Sequence, residues 1–125
     1  MNSDVFVNRV EDYFAAVDRK DLVATLSFFT ANAVFTIATF DVVYRGRDSD
    51  IAGMFERLFE RYDRIWHGDF KHVVQQPDRI ASRFRVENRT AEGLAFSKNN
   101  CNFFYATGES FHEVSVFMSG DNALR

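Results

Sequence analysis

The sequence contains few of the features that brace a chain from outside its core. It has one cysteine, Cys101, which excludes an intramolecular disulfide framework and suits a reducing compartment, so a cytoplasmic location is expected. There is one proline and there are six glycines, with no repeat and no low-complexity stretch. No apolar run is long enough to span a bilayer. The start, Met-Asn-Ser-Asp, lacks the basic-then-apolar pattern of a signal peptide. Basic residues are not in excess either. The net charge is −3 and the pI about 5.6, which argues against a nucleic-acid surface. At 125 residues the chain reads as one domain, residues 1–125, with room for one core.

Phenylalanine is the excess, at 15 residues. Two readings stay open: a phenylalanine-heavy core with a dimer face, or an aromatic cavity for an apolar ligand.

Periodicity gives the elements. Phe6, Val10, Tyr13, Phe14 and Val17 recur at helical spacing and predict a helix over 4–19, with Ser3 as N-cap. A shorter helix follows over 21–29, capped by Asp21. The β-branched and aromatic segment 31–40 predicts a strand. "RGRDSD" (45–50) predicts a turn capping a third helix, where Ile51, Met54, Phe55, Leu58, Phe59 and Tyr62 form the strongest stripe in the chain. Arg45 and Arg47 around Gly46 read as part of that turn rather than as an anion site.

Past Trp66 the period becomes two. Strands are predicted over 70–76, 80–87, 95–106 and 111–119, with turns at "PD", "TAEG" and "TGES". The order is helix, helix, strand, helix, then four antiparallel strands. That is an α+β chain with helices on one face of a curved, mostly antiparallel sheet, a cone whose interior is the default ligand site.

"WHGDFKH" (66–72) gathers two histidines and an aspartate. A metal would need all three to converge. His67 and Asp69 are expected in a turn and His72 on a strand, so no metal is expected. His67 reads as the cap of the preceding helix. His72, with Phe70 and Val74 on its face, is the candidate acid–base group, because histidine titrates near neutrality. Segment 99–102, "NNCN", is the other anomaly. Asparagine is disfavoured in strands and buried amides need partners. Alternation puts Asn100 and Asn102 on one face, Asn99 and Cys101 on the other.

"DYFAAVDRKDLVATLSFFTANAVFTI" followed by "YRGRDSDIAGMF", with the closing "GESFHEVSVFMS", resembles the NTF2-like superfamily, nearest to its SnoaL-like and ketosteroid-isomerase-like members. The resemblance covers nearly the whole chain. It implies the cone fold with three N-terminal helices, and an isomerase, dehydratase or cyclase chemistry or a purely binding role, because this fold hosts many activities. Tyr13 fills the position of the isomerases' oxyanion-binding tyrosine. The position of their general base falls on Ile37, which cannot take a proton, with Asp41 only a turn residue. The penultimate-strand acid corresponds to the asparagine segment, and the acid that closes the last strand in relatives is Ser119, with Asp121 close by.

The expected site is therefore Tyr13, His72 and Asn102 as catalytic groups. Asn100, Phe35, Phe59, Trp66 and Val116 are expected in the lining, with His112 near the rim. No cofactor is expected. The expected partners are a small apolar organic ligand and a second copy of the chain. The alternative is a non-catalytic ligand-binding or assembly domain.

Overall fold

The computed structural model describes residues 1–125. Helix α1 runs over Ser3–Asp18, and its buried stripe is Phe6, Val10, Tyr13, Phe14, Ala16 and Val17. Its cap is Asn2, not Ser3: the Asn2 side chain accepts from the Val5 amide at 2.9 Å. Helix α2 is a short piece, Leu22–Leu26, capped by Asp21, which accepts from the Ala24 amide at 3.0 Å. The third helix, α3, spans Ala52–Arg61 and buries Met54, Phe55 and Leu58. It is entered through a wide helical turn over Gly46–Ile51.

Six strands build one sheet: β1 Phe29–Ile37, β2 Val42–Arg45, β3 Arg64–Gln75, β4 Arg79–Arg89, β5 Ala95–Thr107 and β6 Ser110–Met118. Their order is β2-β1-β6-β5-β4-β3. Every pairing is antiparallel except β1 with β6, which is parallel. This is the expected α+β architecture, with corrections. The order helix, helix, strand, helix holds, with β2 added before α3, so the three N-terminal helices that the resemblance implies are two before the first strand and one after β2. Strand β2 was not anticipated; four residues between turns are too short to show a period. Strand β3 begins six residues before the expected Phe70.

That early start changes the meaning of "WHGDFKH". The whole stretch lies within β3, and a bulge interrupts its register between Gly68 and Lys71. Asp69 takes the left-handed conformation there, with φ 55°, a conformation that aspartate tolerates better than most residues. An extra residue on one strand resets the side-chain alternation. Ile65 and His67 therefore face inward before the bulge, and Phe70, His72 and Val74 face inward after it. The ring of Trp66 lies over Gly68, so close that a Cβ at position 68 would stand 2.2 Å from it.

The phenylalanines mostly fill the interior. Phe6, Phe29, Phe35, Phe55, Phe104 and Phe111 are fully buried. Their rings gather around Tyr13, edge-on to Phe29 at 5.6 Å, Phe104 at 5.9 Å and Phe111 at 5.9 Å. Such pairs stabilise beyond the area they bury. A second group does not join the core: Phe103 and Phe117 meet edge-to-face at 5.8 Å on the outer side of the sheet and stay exposed.

Phe111 is the joint between the helices and β6, touching Phe6, Phe28, Phe29 and Phe104 besides Tyr13. Phe111→Ala is expected to destabilise by about 3–5 kcal/mol, the cost of an unfilled aromatic cavity, read as a lower midpoint in urea unfolding at unchanged slope.

Candidate functional site

Between the helices and the inner face of the sheet lies a cavity of about 40 Å³. That is room for a few waters and no more. Of its 18 lining residues 13 are hydrophobic, so the polar ones stand out. They are His67 from β3, Asn88 from β4, and Lys98, Asn100 and Asn102 from β5, and the Tyr13 phenol from α1 joins them.

Antiparallel register explains the convergence. Val86 pairs with His67 on one side and with Lys98 on the other, so one row across β3, β4 and β5 carries His67 and Lys98. Asn100 and Asn102 follow at alternate positions of β5, opposite Met118 and Val116 of β6. Their neighbours Asn99 and Cys101 turn outward.

His67 is the most organised of these groups. Its Nδ1 is 2.6 Å from Asp18 Oδ1, and its backbone amide donates to the other oxygen, Asp18 Oδ2, at 3.1 Å. Asp18 is the last residue of α1, and no basic residue occupies that turn. A carboxylate at the negative end of a helix is electrostatically misplaced, and here it is held by the histidine. The pairing requires a proton on Nδ1; in the neutral ring this leaves the Nε2 lone pair as the acceptor. The His67 ring also packs 4.7 Å from Phe14. The expectation that His67 caps the third helix is therefore corrected. The misplaced carboxylate at the end of α1 was the signal that pointed to this pair.

Tyr13 is 2% exposed. Burial, and secondly the negative charge of Asp18, push its phenol far above the ordinary tyrosine range, so it is a neutral donor. Three polar atoms in this cavity wall are buried without a hydrogen-bond partner: Asn88 Oδ1, Lys98 Nζ and Asn102 Oδ1. Orphans of this kind are rare in folded chains. Their presence in the lining of one cavity is a local inconsistency of the kind that functional sites carry.

Of the residues expected to line the site, Tyr13, Asn100, Asn102, Phe35 and Val116 do. Four others stand elsewhere. His72 faces inward but lies outside the cavity wall, bridging Ser82 Oγ at 2.7 Å and Glu11 Oε2 at 2.8 Å, and so ties β3 to α1. Phe59 packs on Phe55 at the back of α3. Trp66 points to the opposite face from His67, as strict alternation requires. His112 falls on the outer side, because the register of β5 and β6 shifts beside it. Its Nδ1 meets Thr107 Oγ1 at 2.8 Å.

The segment after β6, residues 119–125, closes the mouth of the cavity. Ala123 and Leu124 are part of its lining. The Arg61 guanidinium donates to the Ala123 carbonyl and, at 2.6 Å, to the Arg125 carbonyl. The Tyr44 hydroxyl donates to the Leu124 carbonyl at 2.8 Å.

The Tyr13 environment has a measurable consequence. A phenol whose folded pKa is raised supplies stability that is complete below about pH 10 and lost as the unfolded chain ionises above it. The stability difference between the parent chain and Tyr13→Phe should therefore shift against the parent between about pH 9 and about pH 11. Paired thermal melts across that range read it.

A family model described as a SnoaL-like domain matches residues 10–117. No curated protein matches the chain in sequence. Among solved structures, a candidate polyketide cyclase from Xanthomonas campestris pv. campestris superposes with a TM-score of 0.83 at 18% identity, covering 94% of this chain and 92% of that one. A candidate isomerase from Bacillus subtilis gives 0.83 at 12% identity, covering 95% and 90%. A protein of ketosteroid-isomerase-like fold from Catenulispora acidiphila, in complex with trimethylamine, gives 0.77 at 15% identity, covering 86% and 82%. At such identities these structures speak for the fold alone. With the fold, the cavity and the family match in agreement, the chain belongs to the SnoaL-like domain family.

Proposed function

We propose that this domain binds a small, largely apolar molecule in the cavity, enlarged by displacement of residues 119–125, and moves a proton on it, with His67 as the base. The observation that carries this reading is the Asp18–His67 pair in the wall of a cavity with unpartnered polar atoms. Asp18 fixes the tautomer and stabilises the imidazolium once Nε2 has taken a proton. The proton comes from a carbon beside a carbonyl; its electron pair moves onto the carbonyl oxygen. The Tyr13 phenol and the Asn102 amide are the donors for that oxyanion. The imidazolium then returns the proton to another carbon of the same molecule, an isomerisation, or gives it to a β-hydroxyl that departs as water while the electron pair forms the double bond, a dehydration. The position held by Ile37 on β1 offers no base and is not part of the cavity lining, and His67 on β3, which is, supplies the function. His72, committed to Glu11 and Ser82, does not.

Deuterium uptake from heavy water into cyclohexanone or 2-tetralone, followed by proton NMR, tests this. His67→Ala is expected to lose about 10²–10⁴-fold of the catalysed exchange, and Asp18→Asn a smaller part of it. No exchange above buffer with any enolisable ketone of a broad panel would sink the proposal.

The outer side of the sheet supports a second reading of a different kind, a homodimer. Val43, Val73, Phe103 and Phe117 are 43%, 73%, 39% and 47% exposed, and large apolar side chains gathered on one face suit burial against a second copy. Light scattering after size exclusion is expected to give twice the chain mass for the parent and the single mass for Phe117→Lys. A parent that elutes as a monomer at high micromolar concentration overturns this.

A further inference from the structure

We propose that the molecule this cavity takes is an acidic, hydroxylated compound whose anionic group is received by Lys98. The inference rests on the reading of the cavity as a ligand site and specifies the ligand's class.

Lys98 is 7% exposed, and its Nζ has no hydrogen-bond partner. Lysine is almost never buried this far unless paired, and a buried cation without a counter-charge is costly. The chain does not supply that counter-charge. Asp121 is near enough to favour the charged form, while burial and Arg125 oppose it, and no carboxylate lies within ion-pair distance of Nζ. The Lys98 tip also rests against the segment that closes the cavity mouth, where a Cβ on Gly120 would be 3.9 Å from Nζ. The site thus has a fixed cation at one end and lacks an anion.

The other two orphans have the opposite need. Asn88 Oδ1 and Asn102 Oδ1 are acceptors without donors, so they ask for hydroxyl groups. Asn102 and Lys98 are four residues apart on the same inward face of β5, roughly 13 Å along the strand. His67 stands in the Lys98 row, two strands away, or roughly 10 Å. A ligand that answers Lys98 and Asn102 carries a carboxylate or another oxyanion near the mouth. Its hydroxyl lies toward the deep end, at Asn102, and its reacting carbon stands beside His67; Asn88, two residues past the Lys98 row on β4, offers its acceptor at the mouth end. The apolar lining between them suits a ring system. Such a molecule exceeds the closed volume, so it enters with segment 119–125 displaced. Ala123 and Leu124 leave the lining and Lys98 becomes reachable.

The test uses two matched pairs, 4-hydroxybenzoate and 6-hydroxy-2-naphthoate, each against its methyl ester, with affinities from titration calorimetry on the full chain. Neither acid is a carbon acid, so their binding does not depend on proton transfer. The expected result is that at least one acid binds about tenfold or more tighter than its ester. Lys98→Met abolishes that preference, and Lys98→Arg keeps it. Unliganded Lys98→Met is expected to melt no lower than the parent, because it removes an unpaired buried charge. Equal affinity for acid and ester, an acid preference that survives Lys98→Met, or no binding of either acid would each overturn the proposal. Acid binding intact with no ketone exchange removes the His67 assignment alone; exchange intact with no acid preference removes this one alone.

Discussion

The bond between Asp18 and His67 joins the end of the first helix to the far wall of the sheet, and much of the molecule follows from it. The helix delivers a carboxylate where its own dipole disfavours one. The strand delivers an imidazole to meet it, and the His67 amide adds a second hydrogen bond. With that end fixed, Tyr13 and Phe14, one turn back, are held against Phe104 and Phe84. The cavity is the space left between this anchored helix and the sheet. Farther along the same strand, His72 repeats the device with Glu11 and Ser82. Two histidines, one on each side of a bulge, thus tie one helix to one strand. Only the first opens onto the cavity.

Much of this was legible from the residues, for identifiable reasons. The stripes of α1 and α3 and the alternation of β4 to β6 are long enough to fix both element and face. Alternation therefore sets Asn100 and Asn102 on one shared face, while which face is the inner one follows from the register of β5 with its neighbours. The failures have a common cause. A bulge inverts the alternation of everything beyond it, and no composition rule reveals it. The register shift between β5 and β6 sent His112 outward. The one at Gly68 hid the start of β3, so His67 was read as a helix cap and Trp66 as lining. Asp18 lies at the end of a helix, where composition alone reads a charged residue as solvated. Its sign relative to the helix dipole was the clue.

The polar residues of β5 are a different matter. Local propensity argues against Lys98, Asn100 and Asn102 in the middle of a sheet, and packing does not reward them. Asn100 has some compensation, since its Oδ1 accepts weakly from the Ser119 amide at 3.4 Å. Lys98 and Asn102 have none at the atoms that matter. A strand that keeps such groups at the centre of an aromatic core gives up stability at a site. The core around Tyr13, with its closely packed rings, is where the offsetting stability lies.

On the proposed route of entry, the strap formed by residues 119–125 would govern how quickly the interior is reached. Closed, it leaves about 40 Å³, so a guest of the proposed size would meet a chain that is binding-competent only during the fraction of time when the hydrogen bonds from Arg61 and Tyr44 are broken. Measured affinity is the intrinsic affinity reduced by that fraction. Association would then saturate with ligand concentration at the rate of strap opening instead of rising without limit. A guest trapped beneath the re-formed strap would leave at the same gated rate, so residence time and entry rate would respond together to any change at Arg61.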